Sequence, residues 1–224
     1  MLSERPAKES NVDSDGERRG TAYPILSTTR FRLRPFALHD IAPLTSLARS
    51  HRVANTTFGI PTPYTAYYAR TWIASHTQAW STGRAIHWAA ARRGEPHLLV
   101  GYAGLVDIDS IALQANLRFW VGCGVERHGY ALEWSKAVIN FAFNELRIER
   151  VFALQAPQHK FSRHVLEHLG MRLVGPTPMA ARSGAPNDDV ERWVMFAPIA
   201  ASRHARQSAP DSPVSRKIGS MPVA

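Results

Sequence analysis

Between residues 29 and 196 the hydrophobic positions follow two rhythms, one repeating every second residue and the other every three to four. Thr29 to Phe36 sets Phe31 and Leu33 between Arg30, Arg32 and Arg34, the alternation of a half-buried strand, and Pro35 ends it. His39-Asp40 opens a predicted helix with Asp40 as N-cap and Ile41, Leu44, Leu47 and Ala48 as its inner stripe. Pro43 falls in the first turn, where its missing N–H is tolerated. After a loop with Pro61 and Pro63, Thr65 caps a second predicted helix that runs to about Trp80 and stops near Gly83.

Three strand patterns follow, Ala85 to Arg92, Leu98 to Ile108 and Gln114 to Val121, with Arg93-Gly94-Glu95-Pro96 as the turn between the first two. The third breaks at Gly122-Cys123-Gly124. Gly129 to Leu146 is the longest helical stretch, with Tyr130, Trp134, Ala137, Val138, Phe141 and Glu145 on one face. Val151 to Gln155 reads as a short strand. Lys160 to Leu169 reads as an amphipathic helix stopped by Gly170, and Met171 to Val174 and Val190 to Phe196 as two last strands around a polar loop. The order β-α-α-β-β-β-α-β-α-β-β predicts one mixed α/β sheet with helices on both faces.

At 224 residues there is room for one such domain and little more. Residues 1–24 and 201–224 are rich in Ser, Pro, Asp, Arg and Gly and cannot repay the entropy of ordering, so they are expected as disordered tails around a domain at 25–200. The longest apolar run, Leu98 to Val106, is about half the ~20 residues of a spanning helix, so no integral membrane protein is expected. The first residues carry acids and no apolar stretch, and a single cysteine, Cys123, cannot close an internal disulfide; both suggest a reducing, cytoplasmic setting. Net charge is +9, with residues 1–24 at −1 and 201–224 at +3, which leaves +7 in the central domain. Of the 27 basic residues 23 are Arg, the side chain suited to phosphates and carboxylates, so an anionic partner is expected, a nucleotide-bearing molecule or a nucleic acid.

Several segments, in their order and spacing, resemble the GNAT superfamily of N-acetyltransferases, and within it the RimJ/RimL type that acts on ribosomal-protein N-termini. They are Thr29-Arg30-Phe31-Arg32-Leu33-Arg34-Pro35-Phe36, Pro63-Tyr64-Thr65, Asn116-Leu117-Arg118-Phe119-Trp120-Val121-Gly122, Gly129-Tyr130-Ala131 with Glu133, and Ser162 followed by Val165-Leu166-Glu167-His168-Leu169-Gly170-Met171. The resemblance implies an α+β GNAT fold, a central and mostly antiparallel sheet of six to seven strands flanked by about four helices. It also implies acetyl-coenzyme A as co-substrate, no metal, a primary amine as acceptor, and direct attack of the amine on the thioester.

A helix N-terminus with unpaired amides suits a pyrophosphate, and Arg127, His128, Gly129, Tyr130 and Ala131 stand at the start of the longest helix. Gly129 either lets that backbone approach the phosphates or simply starts a helix after a strand. Glu126 and Arg127 replace residues usual in the family, the arginine offsetting the carboxylate. The resemblance gives the oxyanion contact to the backbone N–H near Val121, and a contact or proton donation toward the coenzyme sulfur to Ser162, which can equally be a helix cap. His159 replaces the family's asparagine three residues before that serine. The family carboxylate that serves the amine aligns with Asn116, which cannot act as a base; a water relay, Glu133, His128 or His159 is left for that task. Phe58, Tyr64 and Trp72 belong either to the core or to the acceptor pocket. Cys123 is expected as a small packed residue.

Three rival readings remain. A non-catalytic acyl-coenzyme A binder is the strongest of them, favoured by the altered residues at 116 and 159. Nucleic-acid binding fits the charge but has no motif to carry it. His164-Val165-Leu166-Glu167-His168 matches a zinc-peptidase pattern, which further needs a distal carboxylate ligand and a cavity. Oligomeric state, monomer or homodimer, is left open.

Overall fold

Arg93-Gly94 turns the chain sharply between strands β3 (Ile86–Arg92) and β4 (Glu95–Asp109), and this long hairpin is the middle of the sheet. The computed structural model describes residues 22–48, 63–122, 128–178 and 189–198. Around the hairpin stand β1 (Leu26–Ser27), β2 (Phe31–Arg34), β5 (Gln114–Val121), β6 (Arg150–Gln155), β7 (Arg172–Pro178) and β8 (Asp189–Phe196). The helices are α1 (Ile41–Ala48), α2 (Ala66–Ser81), α3 (Tyr130–Asn144) and α4 (Lys160–Leu169). The architecture is the mixed one expected, with eight strands in place of six to seven. The extra strand is β1, whose Leu26 and Ser27 pair with Leu33 and Arg32; two residues are too short a run to show an alternation. Just before it, the Tyr23 hydroxyl donates to the His87 carbonyl at 2.8 Å, and the Trp88 indole donates to the Pro24 carbonyl at 2.7 Å.

The strand order is β1-β2-β3-β4-β5-β6-β8-β7. Every neighbouring pair is antiparallel except β5 and β6, which run parallel over only four rungs, Gln114↔Arg150 to Leu117↔Ala153. Beyond Leu117 the two strands part, as the long crossover through α3 permits. Both faces are covered. On one, Trp134, Val138 and Ile139 of α3 and Val165, Leu166 and Leu169 of α4 pack on Phe31, Leu33, Trp88, Leu105 and Leu117. On the other, Leu44 and Ala48 of α1 and Ala69 and Ile73 of α2 pack on Ala89, Leu99, Tyr102 and Trp120. Each fully buried aliphatic or aromatic side chain contributes roughly 1.5–3 kcal/mol, which holds the sheet between its two helix layers.

Asp40 is not the helix cap that its position suggests. Leu38–Asp40 forms a single 3-10 turn ahead of α1, and the Asp40 carboxylate is fully buried. It accepts two hydrogen bonds from the Arg34 guanidinium, at 2.6 and 2.7 Å, and one from the Ala37 backbone N–H at 2.8 Å. A fork-shaped cation at the end of β2, six residues back, is its main partner in place of the first amides of α1. Thr65 does cap α2, accepting from the Tyr68 N–H at 3.4 Å.

Candidate active site

The cleft between β5 and β6 is lined first by backbone. The Gly122 N–H bonds the Val100 carbonyl on β4 at 2.8 Å. Amides alternate between the two edges of a strand, so those of Phe119 and Val121 point to the other edge, toward β6. The β5–β6 ladder has ended at Leu117 there, so these two donors face the gap without a strand partner. Val121, given the oxyanion contact by the resemblance, is one of the two β5 residues whose N–H faces the gap.

At the far end of the cleft α3 begins. Its N-cap is Gly129 at φ 71°, in the left-handed region, with no side-chain cap on the first amides. A side chain at that φ costs about 1–2 kcal/mol, so glycine is required by the turn itself. Tyr130 and Ala131 are buried in the core, Tyr130 edge-on to Phe31 with centroids 4.7 Å apart. Any contact they make with an anion is therefore through their N–H groups. His128 is exposed and stacks on the Tyr130 ring at 5.2 Å. Arg127, Glu126 and Cys123 lie outside the described residues, as does Phe58.

Arg30, read from sequence only as the outer face of a strand, is the cation at this helix start. Its guanidinium donates to the His128 carbonyl at 2.9 Å and to Glu133 at 2.6 Å, and lies over the Tyr130 ring at 4.7 Å. Nothing local in the sequence shows this, because Arg30 and Glu133 are 103 residues apart. The pairing also removes Glu133 as a base. Burial pushes its carboxyl up, but hydrogen bonds from Thr28 and from the Arg30 backbone and side chain outweigh that, together with the Arg30 charge, and hold it below the usual carboxylate range. Arg92 adds a second guanidinium, 3.3 Å from the Tyr130 hydroxyl.

On the opposite wall His159 is the N-cap of α4 and is half-buried; its side chain makes no capping bond. Ser162 sits three residues into the helix, half-buried, so it is not the cap. Beside them Gln155 at the end of β6 is buried. Its amide donates to Glu191 at 2.5 Å, Glu191 also pairs with Arg163, and the Gln155 carbonyl oxygen has no partner among the described residues.

On the α1–α2 side of the sheet a cavity of about 600 Å³ is lined by Arg84, His87, Asp107, Asp109 and Arg118 among others. Asn116 is one rung before the parting of β5 and β6 and turns to this side, where its Nδ2 donates to Asp107 Oδ2 at 3.1 Å. Trp72 and Tyr64 belong to the core here. Trp72 packs against Phe36, His76, His87 and Tyr102, and Tyr64 is buried in the α1–α2 cluster. Behind the cavity His76 and His87 stack at 4.2 Å. Burial and the neighbouring His87 bring His76 down to about 2, and burial and Arg118 bring His87 to about 4. His87 Nδ1 is 2.9 Å from the Tyr102 hydroxyl, which burial pushes well above its ordinary value. Both imidazoles are therefore neutral at pH 7.

His164 and His168 are exposed neighbours on α4, with rings 3.9 Å apart and His168 Nδ1 at 2.8 Å from the His164 carbonyl. Among the described residues no group of three or more His, Cys, Asp or Glu is placed to hold a metal ion, and no helix is long and apolar enough to cross a membrane. Among the described residues Arg34 is paired with Asp40, Arg30 with Glu133 and Arg163 with Glu191.

A family model described as an acetyltransferase (GNAT) domain matches residues 30–172. No curated protein matches the chain by sequence at a significant level. Solved structures share the fold at low identity. Mycobacterium smegmatis RimJ in complex with a coenzyme A disulfide has 18% identity and a TM-score of 0.69, over 78% of this chain and 88% of its own. RimL, a ribosomal alpha-N-protein acetyltransferase in complex with coenzyme A, has 15% identity and a TM-score of 0.69, over 78% of this chain and 98% of its own. The microcin C7 self-immunity acetyltransferase MccE, in complex with acetyl-coenzyme A and AMP, has 13% identity and a TM-score of 0.66, over 82% of this chain and 99% of its own.

Proposed function

The chain belongs to the GNAT acetyltransferase family, and from that premise we propose that it moves an acetyl group from acetyl-coenzyme A to a primary amine by direct attack. The observation that carries the reading is the pair of β5 amides, Phe119 and Val121, aimed into a cleft that ends at the Gly129-started helix.

The residues present fit such a co-substrate. A pantetheine arm carries amides and takes the place of the absent strand partner along β5. Phosphates meet the first N–H groups of α3, where the helix dipole is favourable, with Arg30 and Arg92 adding positive charge. When bound, the thioester supplies an activated acyl carbon. Val121 N–H, facing the gap, stabilises the oxyanion that develops on its carbonyl; a single such donor contributes on the order of 2.7–4 kcal/mol in other enzymes. Ser162, near the start of α4, stands on the wall where it can hand a proton to the departing sulfur. His159 orients that wall. Support comes also from the solved relatives of the same fold, three of which hold coenzyme A or acetyl-coenzyme A.

The replacement of a carboxylate by Asn116 favours a second reading, an acyl-coenzyme A binder without turnover. One experiment separates the two. Titration calorimetry with acetyl-coenzyme A should give saturable heat under both readings, whereas thiol release with a panel of amines should occur only for the enzyme. Absence of heat would sink both. Absence of thiol release with every amine, despite binding, would leave the binder.

A further inference from the structure

A carboxylate, that of Asp107, stands beside Asn116 on the next strand. β4 and β5 pair regularly from Gly101↔Val121 to Val106↔Asn116, and the register then shifts before Asp109↔Gln114. Asp107 lies in that irregularity at φ 50°, a left-handed value that only Asn, Asp and Gly adopt at modest cost. The kink carries an exposed carboxylate into the cavity, within reach of Asn116 Nδ2. A regular strand would have sent it elsewhere.

The other charges of the cavity are largely committed. Asp109 Oδ1 accepts from the Ile111 and Ala112 backbone N–H groups at 2.9 and 2.8 Å, and Arg84 Nε donates to Thr82 Oγ1 at 3.2 Å. Among the described residues one oxygen of Asp107 and the guanidinium of Arg118 make no hydrogen bond, and Arg84, with only its Nε engaged, keeps a second positive charge in the same cavity. Arg118 is exposed, lines the same cavity, and is the first β5 residue beyond the last β5–β6 rung. A carboxylate and a guanidinium that do not pair with each other, at the point where the acyl cleft opens, form a site for a dipolar molecule.

Resting on the acetyl-transfer reading, we infer that Asp107 is the carboxylate that takes the acceptor amine's proton, that Asn116 is its positioning residue, and that Arg118 selects acceptors bearing an anionic group near the amine, as in an α-amino acid. The ammonium loses its first proton to bulk water and the free amine enters the cavity. Asn116 and Val121 are five β5 residues apart, on the order of 16 Å, so Asp107 acts through water: as nitrogen attacks, the C–N bond forms, the nitrogen becomes strongly acidic, and water in the cavity carries that second proton to Asp107. The carbonyl then re-forms, the C–S bond breaks, and the thiolate leaves to be protonated. Asp107 returns its proton to water.

The test uses the full chain with acetyl-coenzyme A and a panel of L-amino acids against their carboxamides. Asp107→Asn, which keeps both the left-handed backbone and the Asn116 contact, should fold with an unchanged melting temperature, bind acetyl-coenzyme A with unchanged heat, and lose at least 100-fold in kcat. Asn116→Ala should lose 5- to 20-fold, and the exchange Asp107→Asn with Asn116→Asp should recover at least 10-fold of the first loss. Arg118→Gln should lower the ratio of kcat/KM for acid over amide by at least 10-fold. With coenzyme A present, amino acids should raise the melting temperature of the native protein more than their amides do, and Arg118→Gln should abolish that difference. Full kcat in Asp107→Asn, or no preference for the acid in the native protein, would overturn the assignment while leaving acetyl transfer intact. A native protein that binds no acetyl-coenzyme A, or turns over no amine, would remove the reading beneath it.

Discussion

Replacing His76 with phenylalanine should make the protein less sensitive to acid without harming it at neutral pH. His76 is buried among Phe36, Trp72 and His87, with ring centroids at 5.4, 4.3 and 4.2 Å, and neither of its nitrogens has a hydrogen-bond partner among the described residues. Its pKa in the fold is about 2, because burial and then the neighbouring His87 disfavour the charged form. An unfolded histidine titrates near 6.5, so below that pH the unfolded chain binds a proton that the fold refuses, and stability falls with pH. At pH 5 the unfolded side chain is ~1.5 units below its pKa, and at ~1.36 kcal/mol per unit the loss is about 2 kcal/mol. His87, at about 4 in the fold, adds a similar amount over the same interval. Phenylalanine fills nearly the same space and has no unpaired nitrogen, so His76→Phe should equal or exceed the native protein at pH 7.5, by up to about 1 kcal/mol. Urea melts at pH 7.5, 6.0 and 5.0 measure both quantities. The gap between variant and native protein should widen by about 2 kcal/mol from pH 7.5 to 5.0. Parallel pH curves would refute the claim that a neutral imidazole is enclosed there, and a loss above 2 kcal/mol at pH 7.5 would refute the packing.

Arg34→Met leaves the fully buried Asp40 carboxylate, among the described residues, with the Ala37 N–H as its one hydrogen-bond donor and His39 at 3.7 Å, and should cost about 3–5 kcal/mol in a denaturant titration. Gly129→Ala should cost about 1–2 kcal/mol through its φ of 71° alone, since the new Cβ meets only the Arg30 guanidinium at an ordinary 3.8 Å, and should weaken acetyl-coenzyme A binding by calorimetry at least 10-fold. Gly104→Ala drives a Cβ into the Tyr102 hydroxyl and to 2.9 Å from the Ile86 carbonyl, and should cost about 1–3 kcal/mol, read as a lower melting temperature. Glu133→Gln should leave kcat within about 3-fold of native in the thiol-release assay, because its carboxylate is a counter-ion to Arg30 and not a base.

The elements were legible because each carries a local signature. Gln114–Val121 and Lys160–Leu169 fall on the limits their periodicities predict, and Gly129 and Gly170 bound their helices in left-handed conformations. What stayed hidden depends on how side chains meet in the fold. Asp40 looks like a cap until Arg34, only six residues back, folds over it, and Arg30 looks like the solvent face of a strand until Glu133 arrives from α3, 103 residues on. The register shift that presents Asp107 leaves no mark in composition, since Asp107 and Asp109 alternate with apolar neighbours as any strand residues do. Asp107 is not among the groups that the sequence leaves to replace the base at Asn116, because the β4 neighbour of Asn116 is set by that register shift and not by any local pattern.

A sheet joined by four rungs between its two antiparallel halves is a book with a narrow spine. A ligand stretched along the open part stitches the leaves together, so occupancy and stiffness become the same property. Amide hydrogen exchange in the β6–β8 leaf should therefore slow when the cleft is filled, although that leaf carries none of the phosphate contacts. An acceptor that reaches the cavity only when the leaves are fixed would meet its partner in an order set by mechanics, the long thread first and the small molecule second.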